Sequence, residues 1–311
     1  MENYLIAMAV SAGIYALMAL GVNVIWGLAG MVNLGLVGFF AVGAYASALL
    51  TLKAGWAMAA GLATGAVVAA LVGAVVALVT VRLRGDYLAI VTLGFAETIR
   101  IVASNAIWLT NGTDGLSGIP GPYRASLSPE AFNLLYLAIV AVIVAIAYAM
   151  AERLCASPFG RVLRAIRDDE QVAAVAGKHV TLFKVKAFAI GSAALGLAGG
   201  LYAHYTSYIA PDIFVPLFTL YIKLALLAGG LGNNRGAIVG ALAVVFMLES
   251  TRFVIPLVPG VTPVQGAAIR EFLVAALLLV MLRYKPTGIL PERLIRLPVP
   301  PAATERYQPT A

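Results

Sequence analysis

Long apolar runs alternate with short polar interruptions along almost the whole chain. At roughly 20 apolar residues per membrane crossing, they predict nine spans: Leu5 to Trp26, Leu34 to Leu52, Trp56 to Val81, Tyr87 to Ile107, Phe132 to Ala151, Ala187 to Tyr205, Phe214 to Leu231, Ala237 to Val254 and Ala267 to Leu282. Backbone polar groups in a bilayer must be satisfied within the segment, so these runs are helices. The expected fold is all-α: a polytopic transmembrane bundle, with residues 1–285 as the transmembrane domain and 286–311 as a cytoplasmic tail. The tail ends in LPVPPAATERYQPTA and is expected to be a mobile extension.

One long stretch breaks the apolar pattern. Ser157 to Lys186 reads SPFGRVLRAIRDDEQVAAVAGKHVTLFKVK, inside a polar segment at 152–186. Pro158 and Gly160 are expected to break the preceding helix, and Arg161, Arg164 and Arg167 recur three apart as a basic stripe suited to anionic headgroups. A second short helix is predicted from Asp168 or Asp169, whose carboxylates cap the first turn, to a stop at Gly177. Val172, Ala173, Val175 and Ala176 then form a small apolar face, with Asp169, Glu170 and Gln171 as polar neighbours. Such a helix suits a cytoplasmic partner; the alternative is a solvated loop whose charges only set topology.

Between Gly27 and Gly43 the run GLAGMVNLGLVGFFAVG, with Asn33 in its midst, is too rich in glycine for one straight helix. Irregular backbone survives in a bilayer where it is buried in protein or lines a wet cavity. A discontinuous helix beside a translocation path is therefore one reading, and close helix packing the other. The spacings Gly61/Gly65 and Gly196/Gly200 point to packing.

Composition agrees with the pattern. The 311 residues are 62% hydrophobic and 11% charged, which excludes a soluble globular class. The net charge of +7 lies along the topology rather than in a nucleic-acid-binding patch. With the carboxyl end placed inside, Arg82 and Arg84, then Arg153, Arg161, Arg164, Arg167, Lys178, Lys184 and Lys186, then Arg235, then Arg283, Lys285, Arg293, Arg296 and Arg306 all face the cytoplasm. Those are fifteen of the 21 Lys and Arg residues; Lys53 and Arg124 lie in external loops, so the amino terminus is expected outside. The external loops, TNGTDGLSGIPGP at 110–122 and IPLVPGVTPVQG at 255–266, carry turn residues.

Ionisable residues within spans are functional candidates. Glu97 with Arg100 and Glu249 with Arg252 sit three apart and can pair, while Arg270 and Glu271 open the last span. Lys223 has no acidic neighbour at helical spacing, so an acidic or carbonyl partner from another helix is expected, with Glu97 or Glu249 first in line. His204 falls among Tyr202, Tyr205 and Tyr208 and reads as part of an interfacial aromatic belt. The lone Cys155 indicates neither disulfide nor metal site, and no Walker, HExxH or GxSxG motif is present. No cofactor and no catalytic residue are expected.

The residues resemble the permease subunits of ABC importers for branched-chain amino acids, the LivM and LivH group, over nearly the whole chain. The resemblance rests first on SPFGRVLRAIRDDEQVAAVAG, then on DYLAIVTLGFAETIR at 86–100, TNGTDGLSGIP at 110–120, LAGGLGNNRGAIVGA at 227–241 and YKPTGILPER at 284–293; TDGLSGIP favours the LivM side. Lys178, His179 and Lys223 depart from the expected pattern. The resemblance implies a second, LivH-type permease, two cytoplasmic ATPases, an external binding protein, and leucine, isoleucine or valine as cargo. It makes Arg164, Arg167, Asp168, Asp169, Glu170, Val172, Ala173, Ala176 and Gly177 the ATPase-coupling residues. Asn23, Asn33, Thr92, Glu97, Lys223 and Glu249 are the expected polar points of the path. Related importers of urea, short amides, other amino acids or sugars remain alternatives, as does an ion-coupled carrier using Glu97, Glu249 and Lys223.

Overall fold

A computed structural model describes residues 2–83, 85–254, 262–285 and 287–292, with the side chain of Arg252 outside the description. The expected Glu249–Arg252 pair, Arg84, most of the 255–266 loop and the tail beyond 292 therefore lie outside the described residues. The protein is helical, in the order α1 (Glu2–Val22), a π-turn (Asn23–Leu28), α2 (Leu36–Lys53), α3 (Met58–Thr80), α4 (Asp86–Asn105), α5 (Ile107–Thr110), α6 (Pro129–Ala156), α7 (Pro158–Asp168), α8 (Glu170–Val175), α9 (Val180–Thr206), α10 (Pro216–Gly229), α11 (Asn234–Val254) and α12 (Pro263–Tyr284).

Seven helices among the described residues are long and apolar enough to cross a membrane. They coincide with seven of the expected spans. The other two expected spans correspond to α10, an apolar helix of 14 residues, and to α11, of 21 residues. The protein is thus a multi-pass, all-α membrane protein. Helix starts follow the sequence: Ser128, Ser157 and Thr262 each cap a helix that begins with proline, whose missing N–H costs nothing there.

Helices α2, α3 and α9 pack most closely on one another, and α1 lies between α9, α6 and α11. Small residues let these backbones touch. A Cβ added at Gly65 would lie 2.7 Å from the Gly43 carbonyl oxygen, and one at Gly196 would lie 2.7 Å from that of Gly65. Gly43 in turn abuts the Gly196 backbone. The glycine spacings are therefore packing devices.

The two ends of the bundle are tied differently. At one end the antiparallel strands β1 (Leu116–Ser117) and β2 (Tyr208–Ile209) pair, and Arg124 donates to the Tyr205 carbonyl at 2.9 Å. His204 belongs here, but as a fully buried residue rather than a belt residue. Its Nδ1 lies 2.7 Å from the Pro120 carbonyl, which can only accept, so Nε2 is the unprotonated nitrogen that accepts from Ser47 at 2.9 Å. The opposite end gathers the glycine break, the α10–α11 turn, α7, α8 and residues 287–292.

Candidate functional site

The polar segment folds as a helix pair. Ser157 ends α6 and caps α7, so Pro158 marks the break, whereas Gly160 lies inside α7. Gly160 is needed there for a different reason: a Cβ would sit 2.8 Å from the Cys155 carbonyl. Asp169 is the cap between the helices, accepting from the N–H groups of Gln171 at 2.8 Å and Val172 at 3.0 Å. Gly177, at φ +76°, stops α8 in the left-handed region that glycine adopts without a Cβ clash.

Leu163 and Ile166 of α7 and Ala173 of α8 turn inward and are buried. Phe159 stacks on Phe183 of α9, ring centres 5.3 Å apart. Glu170 reaches the largely buried ammonium of Lys184 at 2.7 Å, fixing α8 to α9. Val172 and Val175 point away from the protein, 64% and 90% exposed. A groove of about 560 Å³ runs between the two helices, bordered by Val162, Ala165, Val172 and Ala176. The apolar face thus divides, with Ala173 against α7 and the two valines outward.

The arginines also divide. Arg161 is exposed and Arg164 donates to the Cys155 carbonyl at 3.1 Å. Arg167 leaves the expected headgroup stripe and turns toward the bundle. Its guanidinium donates to the Gly27 carbonyl, at the end of the π-turn, and pairs with Glu292 at 2.8 Å. The π-turn leaves carbonyls without helical partners, and Arg167 satisfies one of them. Asp168 is exposed and only loosely paired with Arg167, at 3.4 Å.

Thr287 to Glu292, expected to begin a free tail, instead forms a strap on α10. The N–H groups of Ile289 and Leu290 donate to the carbonyls of Ala228 and Gly229 at 2.9 and 2.8 Å, which caps the helix end. Gly230, at φ +125°, leaves no room for a side chain against the Leu290 carbonyl.

The expected path residues do not converge. Asn23 is fully buried in the π-turn, where it accepts from Gly232 N–H at 2.8 Å and donates to Asn234 at 2.9 Å. Asn33 and Thr92 are brought together around the break. Asn33 Oδ1 accepts from Gly35 N–H at 2.6 Å, and the Thr92 hydroxyl accepts from Leu34 N–H at 3.0 Å. Asn33 Nδ2 is buried without a partner among the described residues. Glu97 pairs with Arg100 on the outward side of α4. Glu249 accepts from the Tyr4 hydroxyl. Lys223 reaches neither carboxylate; its ammonium lies 4.8 Å from the centre of the Trp26 ring, in the π-turn. The quadrupole of an indole face attracts a cation, so a ring takes the place of the expected acid. Arg270 lies well inside α12 rather than at its start.

A family model described as branched-chain amino acid transport system / permease component matches residues 4–282. The chain belongs to this family. The high-affinity branched-chain amino acid transport system permease protein LivM of Salmonella typhimurium is 31% identical over 300 residues, 89% of this chain and 68% of the relative. The probable branched-chain amino acid transport permease protein LivM of Methanocaldococcus jannaschii is 31% identical over 323 residues, with 92% and 93% covered. LivH of Escherichia coli is 25% identical over 300 residues, with 89% and 91% covered. No solved structure matches the chain. Similarity to both kinds of permease indicates a transporter with a second permease subunit.

Within this permease, sequence reasoning missed the residues that hold the α7–α8 end together. Asn234 joins Asn23 to Glu152, to which it donates at 3.1 Å, and Glu292 receives Arg167. Both lie in stretches that carried the family resemblance, LAGGLGNNRGAIVGA and YKPTGILPER. The available signal was an amide pair following glycines, which reads as a turn until its distant partners are known.

Proposed function

We propose that this chain is the LivM-type permease subunit of an ABC importer that moves leucine, isoleucine and valine inward across the cell membrane, without catalysing a reaction itself. In this reading two cytoplasmic ATPases supply energy, an external binding protein delivers the amino acid, and a LivH-type chain completes the path. The amino terminus is outside and the carboxyl end is cytoplasmic.

The observation that carries the reading is the α7–α8 pair. It presents two exposed valines beside a groove while Arg167 ties its inner side to the break after α1. A surface built this way receives a push from a partner and passes it to the irregular segment between α1 and α2. ATP binding then favours one of two arrangements through differential affinity at this contact. The test is uptake by vesicles holding the complete complex and binding protein. ATP-dependent accumulation of leucine without an ion gradient is expected. Uptake that needs a proton or sodium gradient, or accumulation of urea or a sugar with leucine neither moved nor competing, refutes it.

A further inference from the structure

Helix α4 packs on α2, with Phe95 stacked on Phe39 and Ala96 against Gly38, while its opposite side stands open among the described residues. That outward side is apolar at Ile90 and Ile101 and polar between them. Arg100 donates to Glu97 through Nε and Nη2, both at 2.8 Å, with the two side chains 32% and 39% exposed. Beside the pair, Thr98 is exposed and Gly94 is open, a Cβ there having nothing within 4 Å. At roughly 1.5 Å per residue, Glu97 stands about 16 Å from the Asp86 end of α4, about half of a ~30 Å hydrocarbon core.

Charged groups at that depth face a bundle interior or a wet cavity, because hydrocarbon cannot solvate them. This pair faces away from its own bundle. The opposing wall must come from another chain, and similarity to both kinds of permease places a second permease in the transporter.

We propose that Glu97 and Arg100 line the path between the two permeases and bind the zwitterionic head of the passing amino acid by exchanging partners. The Arg100 guanidinium takes the substrate carboxylate in bidentate fashion, the Glu97 carboxylate takes its ammonium, and the aliphatic side chain lies on Ile90 or Ile101. No covalent bond or proton is moved. When the path is empty the two residues neutralise each other, so no naked charge is left at mid-depth. Loading replaces one internal ion pair with two pairs to the substrate while both partners are stripped of water. The opposing terms keep the hold weak, which an importer needs to release its cargo. The inference rests on the importer reading above.

The test uses the complete complex with its binding protein in vesicles, in a Cys155→Ser background. Thr98→Cys is expected to react with an impermeant, water-borne methanethiosulfonate, and saturating leucine with ATP is expected to slow the reaction at least severalfold. No reaction would place this face in lipid, and reaction without protection would make it wet but unused; either overturns the proposal. Adding Glu97→Gln and Arg100→Gln together removes both charges at nearly constant size. Leucine protection of the introduced thiol should then vanish and uptake should fall at least tenfold. Unchanged uptake and protection would reduce the pair to a self-neutralised ornament of α4. If the parent complex itself moves no leucine with ATP, the importer reading fails instead, and the two failures are distinguished in the same vesicles.

Discussion

The guanidinium of Arg167 spans from the last residue pair of α7 to the carbonyl of Gly27, where the π-turn gives way to irregular backbone. Glu292 holds the same guanidinium from the strap side. One side chain therefore couples three segments that are distant in sequence.

Removing this link should uncouple rather than unfold. Arg167→Gln keeps a donor but loses the ion pair, and Glu292→Gln loses only the pair. A hydrogen bond to a charged group contributes about 1.5–3 kcal/mol, so Arg167→Gln should cost in that range and Glu292→Gln less. The expected outcome is a severalfold rise in ATP hydrolysed per leucine transported. Unchanged stoichiometry in both variants would show that the link is passive.

The outward valines give a cleaner test of docking than Ala173. An arginine at Ala173 would enter the α7–α8 seam, since that residue is buried. Val175→Asp and Val172→Asp alter exposed positions instead and should leave the thermal midpoint of the isolated permease within about a degree, because exposed substitutions change stability little. Each should weaken co-purification of the ATPases about tenfold, as a charge enters an apolar contact. Retention at the parental level would remove these valines from the interface.

Lys223 and Trp26 should be energetically coupled. Trp26→Leu removes the ring that faces the ammonium, Lys223→Met removes the charge, and the double variant should be more stable than the sum of the two predicts. A coupling of about 0.5–2 kcal/mol is expected, measured by thermal or denaturant unfolding in detergent. Strict additivity would mean that the 4.8 Å approach carries no energy.

Orientation is checked by impermeant thiol labelling of intact cells. Thr113→Cys, in the loop before β1, should react from outside and the native Cys155 should not. The reverse pattern would invert the protein in the membrane and move the α7–α8 pair away from any ATPase.

Much of the architecture is legible in the sequence because membrane helices obey a local rule: an apolar run of sufficient length satisfies its own backbone. The same locality makes the α7–α8 pair legible, since Ser157, Asp169 and Gly177 act on neighbouring residues. Distant polar partners are another matter. Arg167 belongs by spacing to a surface stripe, and only the folded chain brings Gly27 and Glu292 to it. The partners of Asn23 and Lys223 were hidden for the same reason, as Asn234 and Trp26 lie at the other end of the chain. The glycines between 27 and 43 do two things at once, breaking the backbone at Gly30, with φ +70°, and admitting a neighbouring backbone at Gly43.

The direct backbone contacts of Gly43, Gly65 and Gly196 also constrain movement. Where side chains interleave, two helices can slide by exchanging rotamers; where carbonyls meet glycine Cα atoms, there is no such soft layer to shear. Helices α2, α3 and α9 are therefore one stiff beam. If α7–α8 receives the ATPase stroke as proposed, that beam would swing as a whole, and the bending would fall to the irregular residues 29–35 and the glycine turn 230–232, two joints at the end where the stroke arrives.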